Sequence, residues 1–261
     1  MNKLLIFFLF LLVSLLSFGQ NSDAVFLEKF MKENNLRGTI IIESLKDSKK
    51  YTYDVKRSEE RYLPASTFKI VNTLIALQEG VIKSENEYIK WDGLDKGFVE
   101  WNKDQNIMTA FPASCVWFYQ ELARRIGNDR YLYYLKILKY GNGKTGKKVD
   151  TFWLDGDLRI SVKEQIEVMK NIYFEKYHFN INYYNILKKV MIVDQTDKYV
   201  IRAKTGWAMR VNPQIGWYVG YMETKNDVWF FACNIDINKA EDAKFRERIT
   251  YRAFEELGIL K

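Results

Sequence analysis

A serine and a lysine three positions apart stand at the start of an apolar, helical pattern, in the stretch "PASTFKIVNTLIALQEG". This spacing places Ser66 and Lys69 on one face of a helix. A serine hydroxyl becomes a nucleophile when a neighbouring base takes its proton, and a neutral lysine can serve as that base. Phe68, Ile70 and Val71 flank the lysine, and apolar surroundings favour its neutral form. The pair predicts nucleophilic catalysis at a helix N-terminus, whose free N–H groups favour developing negative charge.

Taken alone, a Ser-x-x-Lys spacing is weak evidence for a catalytic site. It also arises by chance in a chain with 40 Lys and Arg residues. Ser66 would then be a helix cap beside an ordinary surface lysine. Further residues of suitable chemistry are needed to decide between the two interpretations.

The scarcity of histidine and cysteine limits the chemistry that this chain can perform. Its one histidine, His178, would have to serve any Ser-His-Asp triad. A zinc site with several histidine ligands is excluded, and two cysteines cannot replace them. Cys115 and Cys233 are expected to be buried thiols. If the protein is an enzyme, its base is therefore expected not to be histidine.

Composition and charge favour a packed globular protein that acts on small molecules. Hydrophobic residues make up 48% of the 261 positions, and the formal net charge is +7. Lysine and arginine are interspersed with aspartate and glutamate, as in "KAEDAKFRER", instead of forming the basic patch of a nucleic-acid binder. The positive excess mildly favours anionic small molecules.

The N-terminus has the pattern of a secretory signal. A basic start is followed by an apolar run over residues 4–18, which is shorter than the roughly 20 residues that span a bilayer. Ser17 and Gly19 are small residues at the spacing that a signal peptidase prefers, so residues 1–19 are predicted to be removed. An uncleaved membrane anchor is the alternative. The mature protein is expected to be soluble outside the cytoplasm.

The elements that must position the serine and lysine come from both ends of the chain. "GTIIIESL" and "KKYTYDV" read as strands, and "KYVIRAKT", "IGWYVGYME" and "DVWFFACNID" read as three more near the other end. Helical patterns fill the middle. We predict one α+β domain over residues 20–261, with a mostly antiparallel sheet flanked by helices and an inserted helical lobe. The sheet part is about 20–60 and 197–261, the helical part is about 64–195, and a ligand cleft is expected between them.

Five short motifs in order give the chain a family resemblance. They are "PASTFK", Ser114-Cys115-Val116, Tyr140-Gly141-Asn142, "FWLDGDLRIS" and Lys204-Thr205-Gly206. Together they resemble the class D, oxacillin-hydrolysing, serine β-lactamases over essentially the whole mature chain. No S-D-N triplet follows the serine, so the pattern is not that of class A.

The resemblance implies a role for each residue at the reacting centre. Ser66 would form an acyl-enzyme, and Lys69 would be carboxylated by CO2 and act as base for acylation and deacylation. Trp153 would donate its indole N–H to the carbamate. Ser114 would pass a proton to the departing lactam nitrogen, and from sequence it could equally cap the helix that follows.

The resemblance also implies which residues surround and bind the substrate. Val116 and Leu154 would form an apolar wall beside the lysine. The remaining residues would bind the substrate: Lys204, Thr205, Gly206, Trp207 and Arg246. Of these, Lys204, Thr205 and the arginine would hold the substrate carboxylate, with Arg246 preferred to Arg248. The backbone N–H groups of Ser66 and Trp207 would form the oxyanion hole.

The same resemblance implies an exported, periplasmic bacterial enzyme that hydrolyses β-lactams and confers antibiotic resistance. It implies no metal and no cofactor beyond the CO2-derived group on Lys69, and no nucleic-acid partner. The oligomeric state is left open, and the protein could be a monomer or a homodimer. One departure is Trp117, where many family members carry proline or a smaller apolar residue, so a bulky ring is expected near the cleft.

Three other functions were weighed. A penicillin-binding sensor shares the motifs but stays acylated, and a cell-wall transpeptidase or carboxypeptidase uses the same serine on peptide. A nucleotide site is suggested by G-x-x-x-x-G-K over residues 141–147, but the next residue is Lys148 and not Ser or Thr. Lys144-Thr145-Gly146 repeats the binding triplet in a turn composition and is expected to be a loop coincidence. Tyr140-Gly141-Asn142 is expected near the site with a structural role.

Overall fold

The computed structural model describes residues 25–260, and the predicted signal segment 1–19 lies outside them. The described residues form six strands, β1 Gly38–Ser44, β2 Lys50–Tyr53, β3 Ile192–Gln195, β4 Tyr199–Ala208, β5 Gln214–Thr224 and β6 Val228–Ile237. They also form nine α-helices, α1 Val25–Glu33, α2 Val55–Glu59, α3 Lys69–Gln78, α4 Ile107–Ala110, α5 Val116–Ile126, α6 Asn128–Ile137, α7 Val162–Tyr173, α8 Ile181–Val190 and α9 Phe245–Glu256.

One antiparallel sheet joins the two ends of the chain. Its strand order is β2-β1-β6-β5-β4-β3, so the early strand β1 pairs with the last strand β6. Helices α3 to α8 lie between β2 and β3 in the chain. The predicted α+β architecture, a mostly antiparallel sheet with a helical insertion, is confirmed.

The second group of strands begins earlier in the chain than the sequence predicted. Strand β3 falls inside the part predicted to be helical, which was placed at about 64–195. Its four residues are mostly exposed and lack the buried–exposed alternation of a typical strand, so their pattern carries little signal. Pairing with β4 makes them a strand, and that long-range contact is invisible to local periodicity.

Both faces of the sheet are covered by apolar cores. Along β6, Phe230 and Ala232 join the large cluster that contains the helical lobe, whereas Phe231 and Cys233 join a smaller cluster with α1 and α9. Successive side chains point to opposite faces of a strand, so a sheet covered on both sides becomes apolar at nearly every position. The predicted state of the cysteines is confirmed, because Cys115 and Cys233 are both buried and free.

Helix α3 is the central helix of the helical lobe. Every residue from Lys69 to Leu77 is buried, and a helix that is apolar almost all round belongs inside a core. Helices α5 and α8 pack against it. The N-terminal end of α3 points toward β4, and a short 3-10 turn, Ala65–Phe68, precedes it. The catalytic pair predicted from sequence therefore lies where the lobe meets the sheet.

A buried ion pair fixes the α2 segment to the sheet. The guanidinium of Arg57, 3% exposed, donates to Asp236 Oδ1 at 2.6 Å and to Asn234 Oδ1 at 2.7 Å. Removing one member of such a pair leaves the other charge buried without its partner. The exposed pair of Arg61 and Glu164 has the same chemistry without that burial.

We expect Arg57→Ala to lower the free energy of unfolding by about 3 kcal/mol, because it leaves the buried Asp236 carboxylate with only a longer contact, 3.8 Å, to the exposed Arg37. Arg61→Ala is the matched control and should change it by less than about 1 kcal/mol. Denaturant unfolding of both variants measures this. Equal losses would show that burial of the pair does not matter to the fold.

Candidate active site

The predicted nucleophile and base are in direct contact. Lys69 Nζ donates a hydrogen bond to Ser66 Oγ at 2.8 Å, and the same distance suits a hydroxyl that donates to a neutral amine. Ser66 lies in the 3-10 turn and Lys69 begins α3, so the helix starts later than predicted. Ala65, just before the serine, has φ 48, in the left-handed region that is unfavourable for residues other than glycine. Its N–H donates to Trp153 O at 3.0 Å.

Burial favours the neutral form of Lys69. The side chain is fully enclosed, and it forms no salt bridge with any described carboxylate. Removal from water, and then the nearby charge of Lys204, hold the pKa of Lys69 well below its usual range. Its Nζ lies 5.3 Å from the centroid of the Tyr119 ring. A lysine in this state can accept the proton of Ser66 near neutral pH.

Trp153 carries a buried indole N–H that has no hydrogen-bond partner among the described residues. Its ring stacks on Phe68, with centroids 5.7 Å apart, and Phe68 stands between Ser66 and Lys69 in sequence. Buried donors are rarely left unsatisfied, and an indole nitrogen can only donate. The site therefore has an unused donor within its apolar interior.

Ser114 lies at the cleft but does not cap the helix. Helix α5 begins at Val116 with Cys115 at its cap position, and no side chain caps it. The alternative structural role suggested from sequence is thus wrong, because Ser114 itself adopts φ 54 and is turned out of the helical path. It lines the same cleft as Ser66. Left-handed residues other than glycine cluster at functional sites, and here one precedes the nucleophile and another is the predicted proton donor.

The binding triplet lies on β4, directly beside the serine turn. Lys204 Nζ contacts Thr205 O at 3.2 Å and Thr205 Oγ1 at 3.3 Å. A Cβ added to Gly206 would come within 3.0 Å of Pro64 O, so a side chain there would push the strand away from the turn. Glycine is required here for close approach.

Arg246 supplies the second positive charge. It lines the cleft and donates through Nη1 to Gly206 O at 2.8 Å, whereas Arg248 is exposed and lies over the ring of Phe245. Burial, followed by the charge of Arg246, lowers the pKa of Lys204 to about 7. Burial also lowers the pKa of Arg246. Lys204 is buried and Arg246 is half-buried, and neither forms an ion pair with a described carboxylate, so these two basic groups form a site suited to an anionic group.

A cleft of about 630 Å³ brings most of the predicted residues together. Those that line it are Ser66, Ser114, Val116, Leu154, Thr205, Gly206, Trp207 and Arg246. Lys69, Trp153 and Lys204 are buried beneath its surface. A larger groove of about 850 Å³ beside α7 contains none of the predicted residues, so size alone would have misplaced the site.

The cleft also has lining residues that were not predicted, namely Phe98, Glu100, Trp101, Ala113, Met209 and Arg210. Arg210 forms an ion pair with Asp155. Phe98 and Trp101 belong to "GFVEW", and two aromatic residues in a loop were a signal that could have been used. Trp117 was expected near the cleft, but its ring does not line it and faces a different cavity.

The glycine-rich stretch over residues 140–146 is structural. Asn142 exchanges hydrogen bonds with residues 157–159, where its Oδ1 accepts from Arg159 N at 3.0 Å. A Cβ at Gly141 would lie 1.9 Å from Arg159 O, which leaves room only for glycine. Thr145, in the first Lys-Thr-Gly copy, is buried and donates to Asn128 Oδ1. None of these residues lines the cleft, which agrees with the loop expected from sequence.

Within residues 25–260, His178 is exposed and away from the cleft, and no cluster of His, Cys, Asp or Glu could hold a metal ion. The same residues include no helix that is long and apolar enough to cross a membrane.

Comparisons with known proteins agree on one family. The model of the penicillin binding protein transpeptidase domain matches residues 31–255. The β-lactamase OXA-48 of Klebsiella pneumoniae is 40% identical over 228 residues, covering 87% of this chain and 86% of the relative. The β-lactamase OXA-10 of Pseudomonas aeruginosa is 36% identical over 212 residues, covering 80% of each.

Solved structures give the same result. The class D β-lactamase YbXI from Nostoc has a TM-score of 0.88 and 42% identity, and the match covers 90% of this chain and 99% of that chain. A class D β-lactamase from Bacillus subtilis has a TM-score of 0.84 and 32% identity, covering 90% of this chain and 96% of that one.

The coupling between the two cations can be tested without a substrate. We expect Arg246→Ala to raise the pKa of Lys204, because a neighbouring positive charge disfavours the protonated amine and its removal also lets in water. Arg248→Ala, which removes an exposed charge from the same helix, is the matched control and should leave that pKa unchanged. NMR titration of the labelled lysine amine measures both. An unchanged pKa in Arg246→Ala would show that the two cations do not interact.

Proposed function

The chain belongs to the class D serine β-lactamases, and from that premise we propose how its residues hydrolyse β-lactams and that this hydrolysis confers antibiotic resistance. The observation that carries the mechanism is the 2.8 Å contact between Ser66 and a fully buried Lys69. A serine becomes a strong nucleophile only beside a base, and this is the base that the fold provides.

In acylation, Ser66 Oγ attacks the lactam carbonyl carbon while its proton passes to the base at Lys69. The carbonyl oxygen becomes negative and accepts hydrogen bonds from the backbone N–H groups of Ser66 and Trp207. Such a donor typically contributes roughly 10²- to 10³-fold to the rate. The lactam C–N bond then breaks: Ser114 gives its hydroxyl proton to the departing nitrogen and takes up the proton held by the base at Lys69, so both groups are restored for deacylation.

The substrate carboxylate is held on the β4 side of the cleft. Arg246 and Lys204 supply positive charge there, and Thr205 adds a hydroxyl. An anion bound next to Lys204 would favour its protonated form and so offset the cost of burying that cation. The same contacts orient the carbonyl toward Ser66.

The base is proposed to be a carboxylated lysine. The neutral amine of Lys69 reacts with CO2 and releases a proton, which leaves a carbamate on the side chain. Two features support this: burial keeps the amine neutral, and Trp153 has a buried N–H without an acceptor. That N–H would donate to a carbamate oxygen. Val116 and Leu154 line the adjoining wall and keep bulk water away from the group.

Deacylation completes the cycle. A water molecule near Lys69 attacks the ester carbonyl, and the lysine carbamate takes one of its protons. Ser66 leaves with a proton returned by the same group, so the enzyme is restored and the ring-opened acid is released. The enzyme is proposed to act in the bacterial periplasm after export, in accordance with the signal pattern of residues 1–19.

Turnover separates this proposal from a sensor or a transpeptidase. We expect the purified protein to hydrolyse a penicillin or a chromogenic cephalosporin, with a rate that increases when bicarbonate is added. The decisive measurement is the deacylation rate with bicarbonate present. A stable acyl-enzyme without turnover under those conditions would favour the penicillin-binding sensor instead.

The carbamate itself can be observed by NMR. With ¹³C-bicarbonate we expect a carbamate signal in the unmutated protein and none in Lys69→Ala, which retains the fold. Trp153→Phe keeps a ring but removes the N–H donor, so a higher bicarbonate concentration should be needed for the same signal and the same turnover. An unchanged bicarbonate dependence in Trp153→Phe would rule out the indole as a partner of the carbamate.

A further inference from the structure

Two tryptophans form a chain of hydrogen bonds behind one wall of the cleft. The indole N–H of Trp101 donates to Ala113 O at 2.8 Å. The indole N–H of Trp117 donates to Trp101 O, also at 2.8 Å. Ala113 immediately precedes Ser114, and Trp117 lies in the first turn of α5. Trp101 is thus held at both its side chain and its backbone by the segment that carries Ser114 and Val116.

Only one of the two rings faces the substrate. Trp101 lines the catalytic cleft, whereas Trp117 lines a separate cavity of about 590 Å³. Trp117 also packs edge-on against Phe118, with centroids 6.3 Å apart. A substrate would therefore contact Trp101 and not Trp117, so Trp117 would affect binding indirectly, and Trp101 is the cleft residue to which its indole N–H is bonded.

Few other contacts hold this wall: Gln105 Nε2 donates to Glu100 O at 2.7 Å, and Trp101 packs partly against the core. Trp101 closes a single 3-10 turn, Val99–Trp101, whose neighbours are largely exposed: Val99 is 84% exposed and Phe98 is 53% exposed. The ring centroids of Phe98 and Trp101 are 4.5 Å apart, so the position of the Phe98 ring depends on that of Trp101. A segment with so little buried surface depends on its few specific contacts for a fixed position.

We propose that Trp117 is a positioning residue that fixes Trp101 as the cleft wall and so determines which β-lactam side chains bind well. The proposal rests on β-lactam hydrolysis by this enzyme and not on carboxylation of Lys69. Proline or a small apolar residue at position 117 would have no side-chain N–H and could not form this bond. Trp117 therefore supports the wall through a hydrogen bond and does not place a bulky side chain in the cleft.

The test compares a penicillin that bears a bulky aryl side chain with the bare penicillin nucleus. Trp117→Phe keeps an aromatic ring but loses the donor. For the bulky substrate we expect KM to rise about fivefold with kcat nearly unchanged, because the wall is looser in both the ground state and the transition state. For the nucleus, which does not reach the wall, both constants should stay the same. All assays contain saturating bicarbonate, so that differences in the extent of Lys69 carboxylation do not affect the comparison.

Trp91→Phe is the matched control. Trp91 also donates its indole N–H to a backbone carbonyl, that of Leu94 at 2.7 Å, but it does not line the cleft. This variant should leave both substrates unaffected. Thermal unfolding of each variant records whether it folds.

A double-mutant cycle tests whether Trp117 acts through Trp101. Trp101→Ala removes the ring that forms the wall, so it alone should weaken binding of the bulky substrate selectively, and adding Trp117→Phe should have no further effect. Additive effects, an equal rise in KM for both substrates, or a loss in kcat alone would each overturn the proposal. If Trp117→Phe does not fold, Trp117→Leu, which also lacks the N–H donor, replaces it in the same comparison, and equal effects on both substrates would overturn the proposal. Absence of turnover in the unmutated enzyme would count against the proposed function, and the same variants would then be compared by acylation rate.

Discussion

The burial of one amine, that of Lys69, is the constraint on which the site depends. Transferring a charged ammonium from water into an apolar interior is costly unless a carboxylate pairs with it, and no described carboxylate does so. Burial therefore favours the neutral amine, which is the form that can accept a proton or react with CO2. Helix α3 makes the burial possible, because it is apolar almost all round and lies in the middle of the lobe. Loosening that core would return the lysine to water and to its charged form.

The second requirement is that the sheet come close to the serine. Gly206 packs directly against the turn before α3, where a Cβ on the glycine would lie 3.0 Å from Pro64 O. Arg246 on α9 donates a hydrogen bond to the carbonyl of the same glycine. The first contact joins Pro64 and Gly206, which are 142 positions apart in the chain. The pairing of β1 with β6 closes the sheet from both ends of the chain and makes this approach rigid.

How much of the fold and of the candidate site could be predicted depends on how local each sequence signal is. The Ser66–Lys69 contact needs only helical spacing, so the sequence sufficed, and the strands of the sheet core were found from their apolar runs. Strand β3 was missed because it is defined by pairing with β4. The position of Ser114 was predicted, but its left-handed backbone was not, since nothing in its neighbours requires it. The wall residue Trp101 was missed because a loop has no periodicity from which to infer the direction of a side chain.

The left-handed backbone at Ala65 and Ser114 has a consequence for how the enzyme can evolve. Each of these residues stores conformational free energy, of the order of 1 kcal/mol or more, that glycine would not store. Relaxing either one would also give the predicted nucleophile or the predicted proton donor freedom to move out of line. Stability and activity are therefore opposed at these two positions. Variants that gain tolerance to mutation should obtain it from remote parts of the sheet and helices, while the two strained residues persist.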